Sequence, residues 1–339
     1  MSRAGLKVAI AVFGAVLVLP SASVAQEFYA GKTLTIFSGH QPGSLYDTNA
    51  RFLARHLPRF LPGNPTVIVR NMPGAGTLAA SNHVANLAPK DGTALALIAR
   101  GVAIEPLIGG QGVRFEPLKL HWIGSTSQEV SVIAVRADTG VRTIDDAKAR
   151  EVVLAASGGD GVTFPNALNK LLGTRFRSLS GYRSSAEMSL AIERRETDGR
   201  GSWSWSAFRN DGMAMFKRGE LNLLVQMGLM KVPEIPQVPL VMDLAKDAGQ
   251  RQILEVLLAA QAMAWPMFAP AEVPAERVAL LRGAYLATLK DREALADASK
   301  TGIEIDPVPG PAINEMLARV YATPPSVIEQ ARELVARKQ

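Results

Sequence analysis

Residues 33–47, TLTIFSGHQPGSLYD, contain the pattern on which the fold assignment rests. The run begins with Thr33–Ser38, an apolar and partly β-branched segment of the kind that forms a buried strand. A loop of small residues follows. Ser44 and Asp47 have the S-x-x-D spacing of a capping box, which predicts that a helix begins inside this loop. Residues 33–47 therefore predict the strand, loop and helix of an α/β unit.

The same order of strand, loop and helix recurs along the chain, which predicts α/β lobes with mostly parallel sheets flanked by helices. A chain of 339 residues is too long for one compact core, so two lobes are expected. The character of the sequence changes near residue 128 and again near residue 229. We expect a first lobe from residues 26–128 and 229–339, an inserted second lobe from residues 129–228, and hinge crossings at residues 127–130 and 224–229. Further strands are predicted at residues 66–70, 94–99, 130–135, 151–156, 221–226 and 266–269.

The composition narrows the class of protein. Hydrophobic residues make up 47% of the sequence and charged residues 20%, as in a globular rather than a disordered protein. The sequence has no cysteine, which excludes disulfides, cysteine-ligated metals and thiol nucleophiles. The net charge of +6 is spread along the chain without a run of Lys or Arg, which argues against nucleic acid as a partner.

The N-terminus has the pattern of a secretory signal peptide. Arg3 and Lys7 form a basic start, residues 8–20 are uncharged and mostly apolar, and residues 23–25 are small. The apolar run is too short to span a bilayer. We predict that residues 1–25 are removed and that the mature protein is periplasmic, the alternative being a buried N-terminal helix.

Three loops of small residues follow predicted strands and lead into predicted helices, at residues 39–47, 71–77 and 157–163. Helix starts carry free N–H groups and a partial positive charge, and ligands of open α/β sheets bind beyond the carboxyl ends of the strands. The loops therefore predict an anion site between the lobes. The candidate ligand-binding residues in them are His40, Gln41, Pro42, Gly43, Ser44, Leu45, Tyr46, Asp47, Gly74, Ala75, Gly76, Thr77, Ser157, Gly158, Gly159, Asp160 and Thr163.

The second loop has an alternative interpretation as a dinucleotide fingerprint. Gly74 and Gly76 with Ala79 fit the G-x-G-x-x-A spacing, and Asp91 follows at about the right distance. However, a strand and a helix precede this loop, whereas the fingerprint normally opens its domain, and an exported protein is a poor candidate for nicotinamide chemistry. We therefore predict no cofactor.

Arg100 and two tryptophans are further candidates for the site. Arg100 follows the strand at residues 94–99, where its guanidinium would hold a carboxylate; the alternative is an ion pair with a neighbour such as Glu105. Trp203 and Trp205 alternate with serines, which predicts a strand that forms a cleft wall for an apolar ligand body. The alternative is that each tryptophan packs in the core of the second lobe.

The sequence contains no recognisable catalytic or metal-binding motif. The four histidines lack metal-site spacing, and neither a nucleophile elbow nor a P-loop lysine is present. We predict neither catalytic residues nor a metal, and of the four histidines only His40 lies in a candidate ligand loop.

Several motifs, in this order, resemble the receptors of tripartite tricarboxylate transporters, the TctC or Bug family. Residues 29–36, YAGKTLTI, are similar to the opening strand of that family, and residues 42–47 and 73–76 are similar to its two ligand loops in the first lobe. Ser44 and Leu45 depart from the pattern, because glycines are common there. The remaining similar segments are residues 88–93, 236–240 and 269–274, so that the resemblance covers about residues 27–330.

The resemblance implies a two-lobed Venus-flytrap fold of type II, a bound organic carboxylate, and delivery to a membrane complex of one small and one large subunit. It implies no catalysis and no metal. We expect a monomeric receptor. Leu45, Tyr46 and the two tryptophans further predict a ligand with a sizeable apolar part. The alternatives are a carboxylate sensor for a signalling partner and an exported enzyme that acts on carboxylates through His40 and Asp47.

Overall fold

The computed structural model describes residues 28–157, 159–182 and 184–335. The predicted signal peptide at residues 1–25 and the candidate ligand residue Gly158 lie outside the described residues. Within these ranges no helix combines the length and the apolar character needed to cross a membrane.

The described chain contains two β-sheets. Its strands are β1 (Thr33–Ser38), β2 (Thr66–Asn71), β3 (Ala94–Leu97), β4 (His121–Ser125), β5 (Ser131–Arg136), β6 (Val152–Ala156), β7 (Phe176–Ser180), β8 (Gly199–Ser204), β9 (Leu221–Met227), β10 (Pro266–Ala269) and β11 (Val308–Pro309). The first sheet has the order β11-β4-β10-β3-β1-β2, and the second has the order β7-β6-β8-β5-β9. We call each sheet with the helices packed on it a lobe.

Helices cover the sheets and join their strands. They are α1 (Leu45–His56), α2 (Leu78–Asn86), α3 (Asp146–Ala149), α4 (Asp160–Leu172), α5 (Ser185–Glu193), α6 (Trp205–Asp211), α7 (Met213–Lys217), α8 (Ala248–Leu258), α9 (Ala275–Thr288), α10 (Arg292–Thr301), α11 (Gly310–Tyr321) and α12 (Pro325–Val335). The alternation of strands and helices confirms the predicted α/β fold with two lobes.

Strand direction follows the expectation of mostly parallel sheets only in part. In the first sheet β1 pairs in parallel with β2 and β3, but β10 lies antiparallel between β3 and β4, and β11 is antiparallel to β4. In the second sheet β6 pairs in parallel with β7 and β8, whereas β5 is antiparallel to both β8 and β9. Both sheets are therefore mixed. A buried apolar run does not reveal whether its strand pairs parallel or antiparallel to its neighbours. That direction depends on how the chain connects the strands.

The core of the first lobe lies around β1, which explains why this segment is so apolar. Strand β1 is interior to the sheet, between β2 and β3, and only Thr33 of its six residues is exposed. Leu34 and Ile36 are fully buried, as are Phe52 and Leu53 on α1. The carboxyl end of β1 leads directly into the first candidate ligand loop.

The chain passes between the two sheets at two places. The first passage joins β4 of the first sheet to β5 of the second. After β9, however, the chain stays on the second sheet: Gln226, fully buried, donates to the carbonyls of Ile235 and Val238 and accepts the N–H of Val232. The proline-rich connection that follows β9 is thus pinned by one buried amide.

The return crossing lies just before β10, in the short 3-10 helix Ala259–Ala262 and the residues after it. Helix α8, which precedes it, still contacts the second lobe, because Gln250 donates to the carbonyl of Leu171 on α4 at 3.1 Å. The two crossing segments run side by side. The N–H of Glu129 bonds the carbonyl of Gln261 at 2.8 Å, and the N–H of Ala264 bonds the carbonyl of Ser127 at 3.0 Å.

Candidate ligand-binding cleft

The first candidate loop is held in place by its own helix cap and by a buried carboxylate. Ser44 caps α1 by accepting the N–H of Asp47 at 3.2 Å, as the capping-box spacing predicted. The Asp47 carboxylate accepts hydrogen bonds from the Gly43 N–H at 2.8 Å, from Arg51 Nε at 2.9 Å and from Asn71 Nδ2 at 2.7 Å. Asn71 ends β2, so Asp47 ties the first loop to the start of the second.

These bonds correct the assignment of Asp47 to ligand contact. Only 2% of the residue is exposed, and its carboxylate is fully engaged in bracing the two loops. Burial alone would raise the pKa of Asp47, but the hydrogen bonds from Arg51, Gly43 and Asn71 outweigh it and lower that pKa. A carboxylate held in this way is a poor general base, which also removes the structural basis for catalysis through His40 and Asp47.

The second candidate loop has a strained backbone. Four consecutive residues, from Gly74 to Thr77, have positive φ values of 147°, 46°, 63° and 80°. Two of them, Ala75 and Thr77, carry side chains that disfavour this conformation. Such strain persists only where the surroundings impose it, and it is frequent at ligand sites. Gly74, Ala75 and Gly76 are exposed.

Thr77 holds the second loop rather than facing a ligand. It is 2% exposed, and its hydroxyl accepts the N–H of Ala99 at 3.1 Å. A Cβ atom at Gly39 would lie 2.5 Å from the Thr77 Cβ, so glycine is required where the first loop passes the second. The sequence assigned Thr77 to the binding surface, but its contacts are structural.

An aromatic stack that the sequence did not reveal lies beside these loops. The rings of His40 and Tyr46 are stacked with centroids 3.8 Å apart, and Tyr46 meets Trp265 edge-on at 4.6 Å. The Trp265 Nε1 donates to Ser127 Oγ at 3.0 Å on the first crossing segment. Burial lowers the pKa of His40, so the imidazole favours its neutral form. Trp265 is the residue directly before β10. The sequence alone does not predict that it lies beside these loops, because its position depends on the fold.

Arg100 and Asp160 meet across the two lobes. Arg100 begins the short 3-10 helix Arg100–Ala103 after β3, and Asp160 is the first residue of α4 after β6. Arg100 Nη2 lies 2.7 Å from Asp160 Oδ2, which also accepts a hydrogen bond from Gln261 Nε2 at 3.3 Å. Arg100 is thus ion-paired, as the alternative interpretation expected, but its partner is Asp160 rather than Glu105. Burial works against the charge of Arg100, but Asp160 and Glu129 outweigh it and raise its pKa.

The third candidate loop is shorter than predicted, and its charge is opposite to the one expected. Helix α4 begins at Asp160 rather than at residue 164, so that Asp160 and Thr163 form its first turn. The Asp160 carboxylate occupies the helix start that was expected to attract an anion, and a second negative charge there would be repelled. Ser157 and Gly159 are exposed at the rim.

Trp203 and Trp205 do not form a cleft wall. Trp203 is fully buried, and its Nε1 donates to Asp211 Oδ1 at 2.8 Å. Trp205 is 4% exposed and stacks on Phe208, with ring centroids 5.3 Å apart. Strand β8 ends at Ser204 and α6 begins at Trp205, so the alternation that suggested opposite faces is interrupted between the two tryptophans. Both belong to the core of the second lobe.

The remaining residues of the first loop lie at the surface. Gln41, Pro42 and Gly43 are exposed, and Leu45 is 66% exposed, so that its side chain is not packed against either lobe. An open groove of about 310 Å³ lies elsewhere, on the second lobe along β9. It is lined by residues 142–144, 221–224 and 237–239 together with Phe216, and none of the predicted ligand residues contributes to it.

No protein-family model and no curated protein matches this sequence, but solved structures match its fold. The chain is similar to a TctC solute-binding protein from Polaromonas, with a TM-score of 0.71 and 18% identity over 91% of this chain and 99% of that one. It is similar to the periplasmic binding protein BugD, with a TM-score of 0.60 and 20% identity over 92% and 100% of the two chains. For MatC from Rhodopseudomonas palustris with bound malate, the TM-score is 0.56 and the identity 17% over 90% and 99%. The chain therefore has the fold of the TctC and Bug periplasmic binding proteins, as the resemblance implied.

Proposed function

We propose that this chain is a periplasmic receptor that binds a small organic carboxylate between its lobes and delivers it to a transporter of the tripartite tricarboxylate type. Its lobes would comprise residues 26–128 and 259–324 in the first and residues 129–258 in the second, with α12 packed on α4 and α8 of the second and joined to the first by the hydrogen bond from Arg332 to the Leu107 carbonyl. The revised boundary follows from the buried Gln226 and from the contact between α8 and α4.

The observation that carries this proposal is the meeting of Arg100 and Asp160 at 2.7 Å. Each residue follows a strand of a different sheet, so both lie at the carboxyl edge where α/β folds bind ligands. The side chain of Arg100 is 26% exposed and that of Asp160 is 41% exposed. A guanidinium in this position is partly desolvated yet accessible, which suits recognition of a carboxylate.

The loops next to Arg100 support the same function. The exposed backbone of residues 74–76 adds N–H donors, and Thr77 of the same loop accepts the N–H of Ala99, the residue directly before Arg100. The fold is shared with solute-binding proteins, one of which contains malate. A receptor also accounts for the hydrogen bonds by which Asp47 braces the two loops. Ligand binding requires rigid loops, and it does not require a general base.

Calorimetry and small-angle scattering test this proposal. Mono-, di- and tricarboxylates and amino acids are titrated into the mature protein, with a thermal-shift screen to find binders first. We expect saturable binding without chemical change of the ligand, loss of affinity in Arg100→Ala, and a smaller radius of gyration at saturation. Turnover of the ligand would identify an enzyme instead, and an unchanged radius would contradict closure of the lobes.

Two further experiments address export and delivery. N-terminal sequencing of exported protein should give a chain that starts near Gln26, and recovery of an intact Met1 chain from the cytoplasm would contradict the predicted compartment. Uptake of the bound carboxylate in membrane vesicles that contain a tripartite transporter should require the receptor. A receptor that binds the ligand but never supports uptake would favour the sensor alternative.

A further inference from the structure

Within the described ranges two ion pairs join the lobes, one on each side of the crossing segments. The first is the pair of Arg100 and Asp160 in the cleft. The second joins Arg209 on α6 of the second lobe to Glu304, which lies between α10 and β11 of the first, with Nη2 and Oε2 2.8 Å apart. In the sheet order β11-β4-β10-β3, the crossing strands β4 and β10 lie between the strand that Glu304 precedes and the strand that Arg100 follows.

The backbone places both members of the second pair beside the crossing segments. Next to Glu304, the N–H of Asp306 bonds the carbonyl of Thr126, which follows β4, at 2.9 Å. One helical turn before Arg209, the N–H at the start of α6 bonds the carbonyl of Val130, which precedes β5, at 2.7 Å. The pair therefore responds directly to any rotation of one lobe against the other about these segments.

Hinge bending acts on the two ion pairs in opposite senses. To admit a ligand, the lobes must separate at Arg100 and Asp160, which are in contact in this structure. Because the crossing strands lie between the two pairs, a rotation about them that opens the cleft presses the lobes together at Arg209 and Glu304. The charges behind the hinge therefore affect how readily the cleft opens.

Those charges are mostly negative. A pocket of about 80 Å³ is lined by Glu304 of the first lobe together with Glu129 and Glu234 of the second. Glu234 Oε1 also lies 3.6 Å from Arg209 Nη1. Burial raises the pKa of Glu304, Arg209 lowers it, and Glu129 and Glu234 raise it again. Glu304 is thus attracted to the second lobe by one cation and repelled by two carboxylates.

We propose that Arg209 is the residue that allows the cleft to open, because it neutralises the carboxylates that meet behind the hinge when the lobes separate in front. This inference rests on the proposed receptor function and concerns its regulation, since Arg209 would act on ligand access without touching the ligand. Without Arg209, opening would press Glu304 against Glu129 and Glu234 with no cation between them. The side chains of Arg209 and Glu304 are 39% and 36% exposed, so water screens the effect, and the ratio of open to closed molecules should fall by up to about fivefold.

Double electron–electron resonance on the ligand-free protein tests this inference. The sequence has no cysteine, so spin labels attach only to cysteines introduced by Leu45→Cys and Ala186→Cys. Both positions are exposed, and they follow β1 and β7, which lie on the Arg100 side of the crossing strands. We expect Arg209→Ala to shift the distance distribution of the labels toward shorter values. An unchanged distribution, or a shift toward longer values, would overturn the inference.

Two further variants separate this mechanism from a general effect of losing an arginine. Arg218→Ala is the control, because Arg218 pairs with Glu220 of the same lobe at 2.7 Å, and it should leave the distribution unchanged. Adding Glu304→Gln to Arg209→Ala removes the repulsion and should restore the native distribution; a double variant that stays as closed as Arg209→Ala contradicts the role of Glu304. The labels report without a ligand, so a negative result overturns only this inference, whereas absence of carboxylate binding overturns the receptor proposal.

Discussion

Replacing Arg100 by alanine is the most direct test of the cleft. The change removes the cation that lies 2.7 Å from Asp160, without touching the aromatic stack or the braced loops. The Arg100–Asp160 pair is itself partly exposed and should contribute only about 1 kcal/mol or less to folding. Arg100→Ala is therefore expected to fold and melt nearly as the native protein does, so that a change in affinity reports on ligand contact.

The expected loss of ligand affinity in Arg100→Ala follows from the exposure of the Arg100 side chain. Removing one member of a desolvated charge pair costs on the order of 2–5 kcal/mol. The Arg100 side chain is 26% exposed, so water screens part of the interaction and the lower end applies. A loss of about 2 kcal/mol corresponds to about 30-fold weaker binding. Arg100→Lys should lie between the native protein and the alanine variant, because lysine keeps the charge but not the planar pair of donors.

The assay is calorimetric titration of whichever carboxylate or amino acid the thermal-shift screen identifies, followed by urea unfolding of each variant. Arg177→Ala is the matched control: Arg177 also pairs with a carboxylate, Glu151, but its side chain is 54% exposed on the second lobe. Affinity should fall in Arg100→Ala and stay unchanged in Arg177→Ala. If Arg100→Ala binds as tightly as the native protein, Arg100 does not contact the ligand and the location of the site is wrong.

Three further predictions concern the framework of the cleft. Trp203→Ala should destabilise the protein by about 3–5 kcal/mol, measured by urea unfolding, because it empties a fully buried site; weaker ligand binding with unchanged stability would place Trp203 in the cleft after all. Because the pKa of Asp47 is lowered in the folded state, its contribution to stability is present above pH 3.8 and is lost as the pH falls through the lower folded value. Melting temperatures of Asp47→Asn should therefore change less with pH in that acidic range than those of the native protein, and parallel curves would contradict this. Ala75→Gly should raise the stability by at most about 1 kcal/mol and Gly76→Ala should lower it by about 1 kcal/mol, since both residues have positive φ; changes of the same sign would refute the assigned backbone strain.

Strands such as β1 and β10 were predictable because most of their residues are buried and form a plain apolar run. Strand β1 matches its predicted bounds, Thr33–Ser38, and β10 matches residues 266–269. Strands β4 and β7 were missed. HWIGS at residues 121–125 has no regular alternation, and it forms a strand because β10 and β11 supply partners from distant parts of the chain. FRSLS at residues 176–180 is an edge strand whose apolar content is low.

The candidate site was only partly visible in the sequence, for a related reason. Local patterns identified the loops, the Ser44 cap and the position of Arg100 after a strand. The partners of these residues are set by tertiary structure: Asp160 reaches Arg100 from the other lobe, and Gln261 on the return crossing donates to Asp160. The buried amide of Gln226, which pins the proline-rich stretch after β9 to the second sheet, likewise leaves no local signature in the sequence.

The strain in the second loop and the position of Arg100 are connected through one hydrogen bond. Thr77, held at a positive φ, accepts the N–H of Ala99, which is the residue directly before Arg100. A backbone residue in such a conformation costs on the order of 1–3 kcal/mol, and the fold retains it here where it fixes the start of the turn that carries the cation. Asp47 secures the same loop from the other side through Asn71. The backbone that carries Arg100 is thus fixed by hydrogen bonds, while its guanidinium pairs with Asp160 and stays 26% exposed, accessible to a ligand.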